Sequence, residues 1–152
     1  MAKTNGILEI KNRKASHEFE FLEEEIAGIS LIGSEVKSIR AGKASIAEAY
    51  CYIQDGEVII TGMHIAEYKE AGRQGHDPYR KRKLLMTKKQ IQKWDKKLET
   101  KGLTIVPVKL FINQKGFVKI KIALAKGKKQ FDKRESIKKK DMQRDVDRAL
   151  KG

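Results

Sequence analysis

The stretch "LTIVPVKLFINQKGFVKIKIALA", residues 103–125, admits few structures. Its second half alternates without a break. Val118, Ile120, Ile122 and Leu124 fall on one face, and Lys119 and Lys121 on the other. A period of two marks a strand with one face buried, and residues 113–116, with Gly116 last, supply the turn that folds it onto the first half. Pro107 has no N–H to give a ladder, so it must stand at an edge or a bulge. A hairpin this long needs further strands to cover its apolar face.

Those strands lie upstream. "YCYIQDGEVII" (50–60) is two β-rich runs joined by Asp55-Gly56, a dipeptide suited to the tight type I′ turn. "HEFEFLEEEIAGISLIG" (17–33) alternates less regularly but suits extended structure, with Glu23–Glu25 as a solvated strand end. Two helices interrupt. "SEVKSIRAG" (34–42) offers Ser34 as N-cap, spaces Val36 and Ile39 three apart, and stops at Gly42. "TKKQIQKWDKKLETKG" (87–102) pairs Thr87 with Gln90 as a capping box, and Ile91, Trp94 and Leu98 form an apolar core stripe before Gly102. Short antiparallel strands with one helix between two hairpins predict a mainly β fold. It is a small OB-like barrel with peripheral helices, a ferredoxin-like sheet being the alternative.

Charge divides the chain. Of the net +14, residues 1–68 carry −4, while residues 69–101 carry +8, residues 102–125 carry +4 and residues 126–152 carry +6. A basic excess on one half is the footprint of a polyanion binder. The last segment, "KGKKQFDKRESIKKKDMQRDVDRALKG", buries too little to offset its ordering entropy, so residues 131–152 are expected to be a basic tail, disordered when free. Residues 1–130 are the domain. Wound as a helix on a polyanionic surface, the tail gathers Ile137, Met142, Val146, Ala149 and Leu150 into a narrow strip. That strip has no Trp and no Leu-rich face, which speaks against a membrane partner. No apolar run or leader points to a membrane or to export, so a cytoplasmic protein is expected.

Catalytic chemistry is hard to find. His17, His64 and His76 lack zinc-type spacing with each other or with Cys51, and no glycine-rich phosphate loop occurs. Cys51 lies mid-strand between Tyr50 and Tyr52, where a buried structural thiol is expected. No catalytic residue, metal or cofactor is assigned. Binding is better supported: the basic run Arg80–Lys83 precedes a lysine-rich helix, and Tyr68, Tyr79 and Phe131 are candidates for stacking on unpaired bases. An RNA-binding adaptor, a ribosomal structural protein and an RNA-processing enzyme are the readings that composition leaves open.

Four longer words narrow them: "NRKASHEF" (12–19), "AGISLIGSEVKSIRAGKASI" (27–46), "HDPYRKRKLL" (76–85) and "VKIKIALAKGKKQFDKRESIKKKD" (118–141). In this order they resemble the SmpB family of SsrA-binding proteins. The resemblance implies an OB-like barrel that binds the tRNA-like domain of tmRNA and carries it to stalled ribosomes in trans-translation. It further implies contact with small-subunit rRNA at the decoding centre, a tail that turns helical in the empty mRNA channel, and delivery of alanyl-tmRNA with EF-Tu and GTP. RNA-binding roles are implied for Asn12, Arg13, Lys14, Lys37, Arg40, Lys43, Leu85 and Lys119, with Arg80, Arg82 and Lys83 joining the same positive surface. Ribosomal roles are implied for His17, Lys128, Lys129, Asp132, Lys133, Arg134, Lys138 and Lys140. Three positions depart from the family. Ile26 stands where a glutamate is usual, with Glu25 one residue earlier, which a short slip would bring into that role; Lys140 replaces arginine and loses its bidentate fork; Met86 replaces leucine.

Overall fold

The computed structural model describes residues 8–67 and 76–128. In chain order the elements are β1 (Glu9–Lys11), α1 (Arg13–Glu18), β2 (Phe19–Ile29), α2 (Gly33–Arg40), β3 (Ala44–Ser45), β4 (Tyr50–Gln54), β5 (Glu57–Thr61), β6 (His64–Ile65), β7 (Arg82–Leu85), α3 (Lys88–Lys97), β8 (Leu103–Ile112) and β9 (Val118–Gly127). The sheet runs β1-β8-β4-β5-β7-β2-β9, and β9 pairs again with β8. That last pairing closes β8, β4, β5, β7, β2 and β9 into a ring, antiparallel at every seam. The OB-like barrel read from the hairpins is therefore what forms.

Both turns obey their sequences. Asp55 and Gly56 take φ of +52° and +74°, the two positive values a type I′ turn requires. Asn113 fastens the second turn, its Oδ1 accepting from the Lys115 and Phe117 backbone N–H groups at 3.1 and 2.9 Å. The register slips between Pro107 and Lys109, so the proline sits at a bulge. Val118, Ile120, Ile122 and Leu124 face a core shared with Ile60, Leu84, Ile105 and Leu110, and α3 adds Ile91 and the fully buried Trp94. Thr87 and Gln90 cap α3 reciprocally, at 3.2 and 3.3 Å. Cys51 is buried, and loss of solvent pushes its thiol pKa up, away from reactivity.

Other expectations fail. Glu23–Glu25 are not a strand end: they lie mid-β2, where Glu23 takes Lys93 at 3.0 Å and also Lys97, and Glu25 accepts from Gln90 Nε2 at 3.0 Å. Ser34 does not cap α2. The helix begins two residues earlier than that cap would place it, at Gly33 with Ile32 as N-cap; the Ile32 N–H donates to Glu35 Oε1 at 2.9 Å, and Ser34 Oγ bonds His76 Nδ1 at 2.8 Å. The end of the basic run, Arg82 and Lys83, opens strand β7 (Arg82–Leu85), because alternate side chains there are apolar or paired. The short helix α1 was legible in no periodicity. Its Ala15 packs on Val106, Ala123 and Ala125, on the outer face of β8 and β9, where small residues allow close approach. The proposed tail, 131–152, lies outside the described residues.

Candidate nucleic-acid interface

Gly28 of β2 stands opposite Leu85 of β7 on one side and opposite Lys119 of β9 on the other. Cross-strand partners point to the same face of a sheet, so these positions form one outward row. Leu85 is 53% exposed, although it is a strand leucine. A Cβ on Gly28 would come within 3.3 Å of Leu85 Cβ, so the missing side chain is what lets the leucine lie across β2. With Leu31, Val36, Val118 and the 61% exposed Phe117, the row borders an open cleft of about 240 Å³.

Cations rim this cleft. Arg40 Nη2 donates to the Gly116 carbonyl at 3.3 Å, tying the end of α2 to the β8–β9 turn that carries Phe117 and Lys119. Lys37 is one helical turn before Arg40 and shares its side of α2. An apolar floor edged by Lys119, with Arg40 tied to the adjoining turn and Lys37 a helical turn before it, suits a nucleotide: leucine and phenylalanine offer a surface for its base and the cations partners for its phosphates. Phe117 was not singled out in the sequence. Its only signal was its place between the turn glycine and the alternating run.

Arg82 corrects the sequence-based expectation most sharply. It is 1% exposed, and its Nε donates to Glu35 Oε2 at 2.6 Å, beyond reach of RNA. Its Nη1 donates to Met63 O at 3.0 Å and its Nη2 to Pro78 O at 3.2 Å. Glu35 is 0% exposed and also receives Arg80 Nη2 at 2.6 Å. Burial alone would raise its carboxyl pKa, but the hydrogen bonds from Arg80, the Ile32 N–H and Arg82 outweigh it and hold the group below the usual carboxylate range. Burial also lowers the Arg82 pKa, against the pull of Glu35. The run Arg80–Lys83 is thus half brace and half surface. Lys83 alone of the three assigned cations projects from the outer face, and it pairs with Glu57 at 3.1 Å.

Asn12 is likewise a brace. Buried to 4% exposure, it donates from Nδ2 to Ile46 O at 3.0 Å and Pro107 O at 2.8 Å, and accepts the Ala15 N–H at 3.0 Å as the cap of α1. Arg13 and Lys14 are exposed on α1, Lys14 pairing with Glu48 at 2.5 Å. Lys43 is exposed at the exit of α2, where its carbonyl accepts the Ala66 N–H. Nothing carries it to the Leu85–Lys119 row. His76 donates from Nε2 to the Ile65 carbonyl at 2.9 Å, so its Nδ1 accepts the Ser34 hydroxyl; this is a structural link. Tyr79 is exposed beside His64, and Tyr68 and Phe131 lie outside the described residues. Glu25 does not stand in for Ile26: alternation sends Glu25 toward α3, while Ile26, 58% exposed, occupies the outer face.

A second group gathers at the far end of β9. The Lys128 N–H donates to Glu18 O at 2.9 Å, and its Nζ to Ser16 O at 3.2 Å, joining it to the last turn of α1 on either side of His17. Lys129, Asp132, Lys133, Arg134, Lys138 and Lys140 lie outside the described residues. Among the described residues, no three His, Cys, Asp or Glu side chains could hold a metal ion, and no helix is long and apolar enough to cross a membrane.

Comparison with known proteins gives a consistent result. Residues 9–152 match the family model described as SmpB protein. The SsrA-binding protein of Phocaeicola vulgatus is 51% identical over 95% of this chain and 96% of its own. That of Cytophaga hutchinsonii is 52% identical over 91% of each. A solved chain described as "tmRNA-SmpB: a journey to the center of the bacterial ribosome" is 40% identical, with a TM-score of 0.68 over 85% of this chain and 94% of that one.

Proposed function

This chain belongs to the SmpB family, and on that premise we propose that it is the tmRNA-binding adaptor of trans-translation in its cell. Its barrel binds the tRNA-like domain of tmRNA through the row of Leu85, Gly28 and Lys119 and the α2 cations Lys37 and Arg40. The observation that carries this reading is the exposed Leu85 laid over Gly28 and rimmed by cations. The work is binding and placement, with no bond made or broken by the protein, in the cytoplasm.

β9 supplies the geometry. From Lys119 to Gly127 it spans about 27 Å at roughly 3.4 Å per residue, so the RNA row and the α1–Lys128 corner are held apart at fixed length. RNA occupies the first end. The second end, with His17 and Lys128, faces the small-subunit rRNA of the decoding centre. From there residues 131–152, with Asp132, Lys133, Arg134, Lys138 and Lys140, enter the empty mRNA channel. Delivery occurs as alanyl-tmRNA with EF-Tu and GTP.

The test is a salt series of binding to the tRNA-like domain, with an ordinary tRNA as competitor. Specific binding should survive the competitor, with a log–log slope implying several phosphate contacts. Reversing charge at Lys119 and Arg40 should weaken it more than the same change at Lys138. Equal, weak binding to both RNAs, or the opposite ranking, refutes the assignment of this face.

A further inference from the structure

One pleat from the Leu85–Lys119 row runs a second row that no role assigned above explains. Lys11 of β1 is opposite Lys109 of β8, and Lys109 is opposite Lys121 of β9. Three lysines thus stand side by side across three strands, each about 4.8 Å from the next strand. Like charges directly opposite in an antiparallel pair disfavour the sheet. Relief is partial: Lys109 reaches Glu9 at 3.3 Å and Lys121 reaches Glu24 at 3.4 Å, but Lys11 is exposed and forms no ion pair among the described residues. Arg13 closes the near side, and with Ser16 and Val108 these cations surround a hollow of about 210 Å³. The core gains nothing from lysine at these positions, since all three point to the outer face, where Lys109 also lies 5.3 Å over the Phe111 ring.

We propose that Lys11, Arg13, Lys109 and Lys121 form a second phosphate seat, which takes the backbone of the RNA held by the Leu85–Lys119 row. The inference rests on that row being the RNA face. Continuity argues for the same molecule: Lys119 and Lys121 are two residues apart on one face of β9, about 7 Å, so a backbone crossing the first row meets the second without a turn. The lysines would exchange their mutual repulsion for phosphate contacts and release counterions as they do so.

The experiment compares the full-length protein with the K11Q/K109Q/K121Q variant and with K89Q/K96Q/K101Q, which removes the same charge from α3 and the turn after it. The ladder variant should melt at or above the parent's temperature. Its dissociation constant for the tRNA-like domain of tmRNA should rise roughly 30- to 100-fold at 0.15 M salt, and its log–log slope should become shallower by about 2 to 3. The control variant should change neither by as much. Unchanged affinity and slope, with Lys119→Gln still weakening binding, overturns the seat and leaves the first row standing. If Lys119→Gln and Leu85→Ala also have no effect, the underlying RNA face is wrong. If the ladder variant keeps the tRNA-like domain but loses ribosomes, the seat serves ribosomal RNA and the assignment made here fails.

Discussion

Glu35→Gln should unfold this protein easily while changing almost nothing of its shape. The side chain is wholly buried, and its two oxygens take Arg82 Nε at 2.6 Å, Arg80 Nη2 at 2.6 Å and the Ile32 N–H at 2.9 Å. An amide keeps the volume but removes the countercharge of Arg82, which has no exposure through which to recover solvent. Its remaining partners are the carbonyls of Met63, Pro78 and Asp77. Breaking one side of a buried pair costs about 3–5 kcal/mol, because the surviving charge stays desolvated. Against a total of roughly 5–15 kcal/mol for a domain, that is a large fraction. At about 3–4 °C per kcal/mol for a chain of this size, the melting temperature should fall by on the order of 10–20 °C. Urea titration followed by circular dichroism gives the free energy, and a melt gives the temperature.

The pH dependence supplies an independent check. The folded-state pKa of Glu35 is depressed, so folding the parent is favoured above the unfolded carboxylate value of about 4.3 and the advantage is lost as pH falls through the lower folded value. The gap between parent and Glu35→Gln should therefore be full at pH 7 and narrow progressively below about pH 4. A loss under about 1 kcal/mol at neutral pH, or a gap indifferent to acid, would mean the backbone carbonyls alone satisfy Arg82.

Two further outcomes separate the parts of the molecule. Chain termination after Phe131 should leave binding to the tRNA-like domain nearly intact in a gel-shift titration and abolish tagging in a reconstituted translation assay; equal loss of both would contradict a division between barrel and tail. Gly28→Val should weaken RNA binding several-fold with little change in melting temperature, because its Cβ would press within 3.3 Å of Leu85 Cβ on the exposed face; a fall in stability with unchanged affinity would show that Gly28 serves packing.

What the sequence revealed depended on whether a residue's environment was local. The hairpins at Asp55-Gly56 and at Asn113–Gly116 and the capped α3 were legible because turn chemistry and period act over a few residues. Arg82 was not. Within a run of four cations, nothing marks the one that faces inward until β7 fixes the alternation and brings Glu35, 47 residues away, against it. Asn12 was misread for a similar reason: its partners, Ile46 and Pro107, lie 34 and 95 residues off. Sequence alone reads Glu23 and Glu25 as a solvated strand end, because the α3 side chains that meet them, Lys93, Lys97 and Gln90, lie far along the chain. The row of Leu85, Gly28 and Lys119 joins three separate sequence stretches. The resemblance named Leu85 and Lys119, but only strand register shows them as neighbours across a glycine.

β9 is hydrogen-bonded along both flanks, to β2 on one side and β8 on the other, almost from end to end. A pull on the chain beyond Gly127, directed along the strand, loads those bonds side by side instead of peeling them one at a time. The barrel is then mechanically strong along the axis of β9. The bonds of Lys128 to Ser16 and Glu18 lie at the very end of the double seam and would yield first. Tension would therefore free the corner beside His17 well before it reached the RNA row at the other end of the strand.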